Sequence, residues 1–134
     1  MDVARAALPA ILAGTLGAAA LAASLPAGDS RRGAEVYTRC EACHSLQYNR
    51  TGPRHCGVVG RKAGSVPGFE YSPAMKRSEL TWDEGTLDRF LADPPRVVPG
   101  TAMTYAGITD AQERADVIAY LRQAGTSGTC HGLK

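Results

Sequence analysis

The chain has 134 residues, with 15 Lys and Arg against 13 Asp and Glu for a formal net charge of +2, and 44% of its residues are hydrophobic. That length allows one domain. A charge this close to balance, with no basic block, excludes a nucleic-acid surface built on charge and leaves only a mild positive bias for docking on an acidic protein face.

Residues 1–27 begin with a single basic residue, Arg5, and continue as AALPAILAGTLGAAALAASLPA, which carries no charge and ends in small residues. This is the layout of a secretory signal, and Ala20-Leu21-Ala22 fits the cleavage rule better than Leu25-Pro26-Ala27. Cleavage is therefore expected between about residues 22 and 27. An uncleaved membrane anchor is the competing reading, since the run is near the ~18 residues a span requires, but Pro9, Gly14 and Gly17 weaken a spanning helix. The mature chain then comprises a domain over 28–125 and a tail over 126–134. A mature chain of about 105 residues has a marginal core, and small exported domains commonly add a covalent or metal staple.

After the leader the pattern is of short helices separated by Gly- and Pro-rich loops, with no alternating strand, so the domain is expected to be all-α. The first helix is expected over about Ser30 to Cys40, with Asp29 or Ser30 as its cap and Val36 and Tyr37 facing inward. Residues 45–68 read as loop. Ser72 then caps a short helix with Pro73 at its first position. Thr81 with Glu84 forms a capping box for a helix stopped by Pro94-Pro95, with Leu87, Phe90 and Leu91 inward. Thr109 with Gln112 forms a second box, for a last helix ending near Ala124 whose buried stripe is Ala111, Ala115, Ile118 and Leu121.

The chain has four cysteines and three histidines, and each histidine adjoins a cysteine: Cys43-His44, His55-Cys56 and Cys130-His131. CEACH gives Cys40-x-x-Cys43-His44, the c-type haem attachment pattern. Two thiols three residues apart reach the vinyl carbons of one porphyrin edge, and the following histidine falls under the iron. A thiol redox pair, or a zinc site using Cys40, Cys43, Cys56 and Cys130, would also use Cys-x-x-Cys. For a second axial ligand, Met103 lies on a loop stiffened by Pro99 and flanked by Gly100 and Gly107, whereas Met75 lies in a short helix where core packing is the default.

Taken in order, CEACH, TGP, GVVGRKAG, PGFEYS, TWDEGTL, DPPRVVPGTAM, AGI and ERADVIAYLR closely resemble the class I cytochromes c, mitochondrial and bacterial periplasmic, over nearly all of residues 28–124. The resemblance implies that family's all-α fold, with the terminal helices crossing through Gly33, Tyr37 and Tyr120 around one covalently attached haem c. It implies thioethers at Cys40 and Cys43, His44 and Met103 as axial ligands, and support of His44 by the Pro53 carbonyl. Arg61, Tyr71 and Trp82 match the inner-propionate partners, and Thr101 a nearby hydroxyl.

The implied function is single-electron shuttling in the periplasm by a monomer that is not an enzyme. Its partners would be redox proteins: a donor complex or dehydrogenase on one side, a terminal oxidase or reaction centre on the other, with no nucleic acid and no stable membrane insertion after processing. A cytochrome subunit of an oxidase or dehydrogenase complex would show the same motifs. Departures from the family pattern are Phe90 for a tyrosine, Met75 for an asparagine, His55 for a leucine, and Pro95-Arg96 and Ala102 where lysines are usual. For His55 the expected partner is a backbone group. With Cys40 and Cys43 assigned to haem, Cys56 and Cys130 remain as an even pair in an oxidising compartment and are expected to form a disulfide that clasps the tail to the domain.

Overall fold

The computed structural model describes residues 24–133. The expected export leader therefore lies outside the described residues, apart from 24–27. The described residues form five α-helices: α1 Ser30–Tyr37, α2 Pro73–Arg77, α3 Glu84–Ala92, α4 Pro94–Val97 and α5 Ala111–Thr126, with a 3₁₀ turn at Gly128–Cys130. Among the described residues the extended pairing is one isolated antiparallel bridge, Lys62 with Thr81. No helix among them is long and apolar enough to cross a membrane.

Helix α1 starts where the Asp29 carboxylate accepts the backbone N–H groups of Arg31 and Arg32, two donors that have no partner within the helix. Its buried residues, Gly33, Val36 and Tyr37, share one face at i, i+3 and i+4 spacing. That face crosses α5 with the backbones in contact. A Cβ on Gly33 would stand 1.9 Å from the Asp116 carbonyl oxygen, so only glycine fits. Tyr37 packs on Tyr120 across the crossing, with ring centroids 5.1 Å apart.

The crossing buries a carboxylate that the sequence pattern did not single out. Asp116, 2% exposed, accepts the Arg32 guanidinium through Nε at 2.8 Å and Nη2 at 3.1 Å, the Asp29 backbone N–H at 2.7 Å and the Gln112 amide at 2.9 Å. The Arg32 hydrogen bonds lead in lowering its pKa to about 2, against the cost of burial. Burial along α5 is also broader than one stripe: residues 115–119, Leu121 and Ala124 are buried while Ala111 is exposed. The reason is that α1 covers one side of the helix and α3 another.

Both expected capping boxes are replaced by aspartates one or two residues further on. Asp83 caps α3 by accepting the Thr86 N–H at 2.7 Å, and Asp110 caps α5 by accepting Gln112 and Glu113. A carboxylate is the stronger acceptor and also complements the positive helix end. Thr81 instead enters the bridge with Lys62. Pro94 and Pro95 do end α3, but they open α4 rather than a loop, with Asp93 as its cap. At the far end, α5 passes Ala124 and continues to Thr126, so the boundary drawn at residue 125 falls inside a helix.

The tail then turns back onto the domain. Cys130 is bonded to Cys56, with Cα atoms 5.2 Å apart and both residues buried. The Gln47 side-chain amide donates to the Thr129 carbonyl at 2.9 Å beside it. Closing a loop of this size removes chain entropy from the unfolded state, so Cys130→Ser is expected to lower stability by about 2–4 kcal/mol, read as a shift in urea midpoint at constant slope. Asp116 gives a pH signature of known sign. Its depressed folded pKa means stability present above pH 3.8 and lost as pH falls toward 2. Asp116→Asn is expected to be less stable at neutral pH and to lose less between pH 4 and 2, as measured by denaturant titration at each pH.

Candidate functional site

Beyond Tyr37 the chain leaves α1 through turns that keep helical sense: Arg39 N–H to Val36, Cys40 N–H to Tyr37, Cys43 N–H to Cys40, and His44 N–H to Cys40 at 2.9 Å. Residues 40–44 are thus one helical turn. Both its cysteines are free, Cys40 half-buried and Cys43 exposed. Burial raises the Cys40 thiol pKa.

The chain then folds back, Gly52 N–H reaching the Cys43 carbonyl at 2.8 Å, and this return encloses the His44 ring. His44 Nδ1 lies 2.8 Å from the Pro53 carbonyl, a contact that fixes the proton on Nδ1 and leaves Nε2 as the lone-pair nitrogen. A Cβ on Gly52 would stand 2.2 Å from His44 Cε1 and 2.6 Å from both ring nitrogens. A position in the ring plane beyond Cε1 would be clearly farther from the nitrogens than from the carbon, so these distances place Gly52 against a face of the ring. His55 stacks on the ring with centroids 4.1 Å apart and planes 21° apart, and because Gly52 already occupies one face at contact distance, the stacked ring takes the other. The Tyr37 hydroxyl holds His55 Nδ1 at 3.1 Å. His55 was expected to bond a backbone group; its ring partner is instead a phenol, because the α1–α5 crossing delivers Tyr37 to that spot. Burial lowers the His44 pKa against the Pro53 hydrogen bond, and burial with the neighbouring His44 ring and Arg61 keeps His55 neutral.

Across the domain, Arg61 gives Nη1 to the Cys56 carbonyl at 2.8 Å and Nη2 to the Arg54 carbonyl at 3.0 Å. It has no carboxylate partner among the described residues, and burial depresses its pKa. The Tyr71 hydroxyl accepts the Val66 N–H at 3.2 Å, so its own proton is free to be donated, and Tyr71 is an electrostatic neighbour of Arg61. Trp82 is buried against Phe90, ring centroids 4.8 Å apart, and its indole N–H meets no protein acceptor among the described residues. Thr101 acts locally, its Oγ1 accepting the Met103 N–H at 3.2 Å and so shaping the loop that carries the thioether. Met103 is half-buried against the core, while Met75 lies inside it.

These residues fit a haem. A partly buried guanidinium without a counter-ion among the described residues, with two ring donors to spare, suits a propionate that would otherwise be costly to bury. An imidazole fixed at every point except Nε2 suits an axial iron ligand. The zinc arrangement does not fit, because the disulfide consumes Cys56 and Cys130. Among the described residues no group of three or more His, Cys, Asp and Glu could hold a metal ion. The sequence pattern held no sign of Arg54, whose Nε is buried beside Arg61 without a partner among the described residues, or of the Tyr37–His55 contact.

The family model described as Cytochrome c matches residues 30–125. The chain is similar to cytochrome c2 of Rhodomicrobium vannielii, at 50% identity over 103 residues covering 75% of this chain and 82% of that one. It is similar also to cytochrome c of Chlamydomonas reinhardtii, at 42% identity covering 76% and 95%. Among solved structures, cytochrome cH from Methylobacterium extorquens aligns with a TM-score of 0.71 at 45% identity, covering 72% of this chain and 99% of that one.

The packing of Gly52 generates a sharp expectation. Gly52→Ala pushes a methyl into the face of His44 and is expected to destabilise the protein by roughly 1–3 kcal/mol, the usual range for overpacking in a close-packed site. Gly60→Ala, at a positive-φ glycine with open space around it, is the control for backbone strain alone. Equal losses in the two variants, in thermal or urea unfolding, would refute the sandwich.

Proposed function

The chain belongs to the cytochrome c family, and from that premise we propose that it shuttles single electrons between redox proteins of the periplasm, exported there by its N-terminal signal. It is a monohaem electron carrier and not an enzyme. In the proposed site Cys40 and Cys43 hold the haem through thioethers, His44 Nε2 and the Met103 sulfur ligate iron, and Arg61, Tyr71 and Trp82 hold the inner propionate. When bound, haem supplies an iron that alternates between ferric and ferrous states. The observation that carries the reading is the single turn Cys40–His44 with Pro53 on Nδ1 and Nε2 left over.

What the protein contributes is rigidity and dryness. His44 is gripped on two faces and at one nitrogen, and the Met103 loop is pinned by Thr101, so little needs to rearrange when charge changes. Phe90 offers no hydroxyl to the Met103 sulfur, which favours ferric iron, while Met75 in the core dries the pocket and favours ferrous iron. These two departures act in opposite directions on the potential.

The surface near Cys43 and Met103 is lined by exposed small residues, Ala42, Ala102, Thr104 and Gly100. Arg39 on this side is already paired with Glu113. Docking is therefore carried mostly by apolar contact and shape, with weak electrostatic steering.

Two measurements check the reading. Purified protein is expected to retain haem after denaturation and to show a low-spin c-type spectrum on reduction, with Met103→Ala losing the thioether ligation and lowering the potential. Electron transfer to an acidic redox partner is expected to fall only a few-fold between low and physiological salt, and a steep loss would contradict the docking mode.

A further inference from the structure

The grip on His44 is more elaborate than a carbonyl on Nδ1 requires. Gly52 covers one face and the His55 ring lies against the other, 4.1 Å away and nearly parallel. His55 is itself held three ways. Its backbone N–H reaches the Ser45 carbonyl at 2.9 Å, one residue beyond His44, and its Nδ1 meets the Tyr37 hydroxyl at 3.1 Å. Its neighbour Cys56 donates its N–H to Leu46 at 2.7 Å and is locked to Cys130. Tyr37 is in turn 2% exposed and wedged against Tyr120 at the helix crossing.

A hydrogen bond at Nδ1 restrains the ring at one edge but leaves it able to rock about the axis through its two nitrogens. A flat group on each face removes that freedom, and a long aliphatic side chain would do so less well, because its rotamers interconvert. In low-spin ferric haem the plane of the axial imidazole sets the direction of the orbital that holds the unpaired electron, so a fixed plane gives one electronic ground state.

Resting on the haem reading above, we infer that His55 is a positioning residue for the axial imidazole. Its ring, clamped by Tyr37, fixes the plane of His44 and with it the orientation of the iron's ligand field. The unit is a three-ring ladder, Tyr37 to His55 to His44, that runs from the helix crossing to the metal.

The test uses ferric holoprotein and two readouts sensitive to ring orientation: the spread of the haem methyl signals in proton NMR, and the g-values and line widths in electron paramagnetic resonance. His55→Leu is expected to change the methyl spread and broaden the low-field resonance, while His55→Phe, which restores a flat ring, stays near the parent. Tyr37→Phe keeps the packing but frees the clamp, and is expected to shift the spectrum in the same direction as His55→Leu by a smaller amount. Spectra of His55→Leu that overlay the parent, or His55→Phe moving as far as His55→Leu, would overturn the inference. If His55→Leu does not accumulate, Tyr37→Phe decides, and an unchanged spectrum overturns it. Failure of the underlying haem reading looks different: the parent itself would lack covalent haem or the long-wavelength ferric thioether band, whereas failure of this inference leaves both intact in every variant.

Discussion

The backbone contact between α1 and α5 at Gly33 is the constraint on which the other features hang. Because no side chain separates Gly33 from the Asp116 carbonyl, the two helices close to a distance at which Tyr37 and Tyr120 meet and the Asp116 carboxylate becomes inaccessible. Each of these then has a local consequence. The carboxylate draws in Arg32, Gln112 and the Asp29 backbone, so the start of α1 is fastened to α5 by charge-assisted hydrogen bonds. The tyrosine, one turn before the cysteines, reaches the histidine behind His44. A larger residue at position 33 would therefore disturb the surroundings of His44 without touching them.

The two sides of the site use opposite physics. Around His44 the protein supplies shape: a bare glycine, a parallel ring and one carbonyl leave a single nitrogen without a partner. Around Arg61 it supplies charge and protons beyond what the described residues use, with a guanidinium lacking a carboxylate among them and two ring donors with protons to give. An iron porphyrin presents the complement of both, a metal that wants a nitrogen and an acid that wants donors. The family relationship and the local chemistry therefore point the same way by separate routes.

Much of this was legible in the sequence. Cys40-x-x-Cys43-His44 works through consecutive residues of one turn, and helix stops at proline act within a few residues, so local rules suffice for both. The helix starts were displaced because threonine and aspartate compete for the same N–H groups. Thr81 and Thr109 each had an aspartate close behind with the stronger claim, and Thr81 also had a bridge partner in Lys62 that no local rule reveals. Asp116 sits on a face of α5 that periodicity assigns to solvent, and only the approach of another helix buries it. The Tyr37–His55 contact joins residues 18 apart in sequence across a loop and needed the fold to be seen. Cys56 and Cys130 could be paired on chemistry because the motif had claimed the other two, whereas the buried Arg54 nitrogen left no trace in the pattern.

The clasp at Cys56 and Cys130 changes what kind of object the chain is. Bonded at positions 74 residues apart, it is a covalent ring with a stem, and the stem carries Cys40, Cys43 and His44 while the ring carries Met103, Arg61, Tyr71 and Trp82. The two halves of the site thus belong to different parts of the topology. One backbone cut anywhere between Gly57 and Thr129, in the methionine loop for instance, opens the ring but releases no piece. A molecule nicked beside Met103 remains one molecule, and damage at the exposed rim need not become loss of the whole.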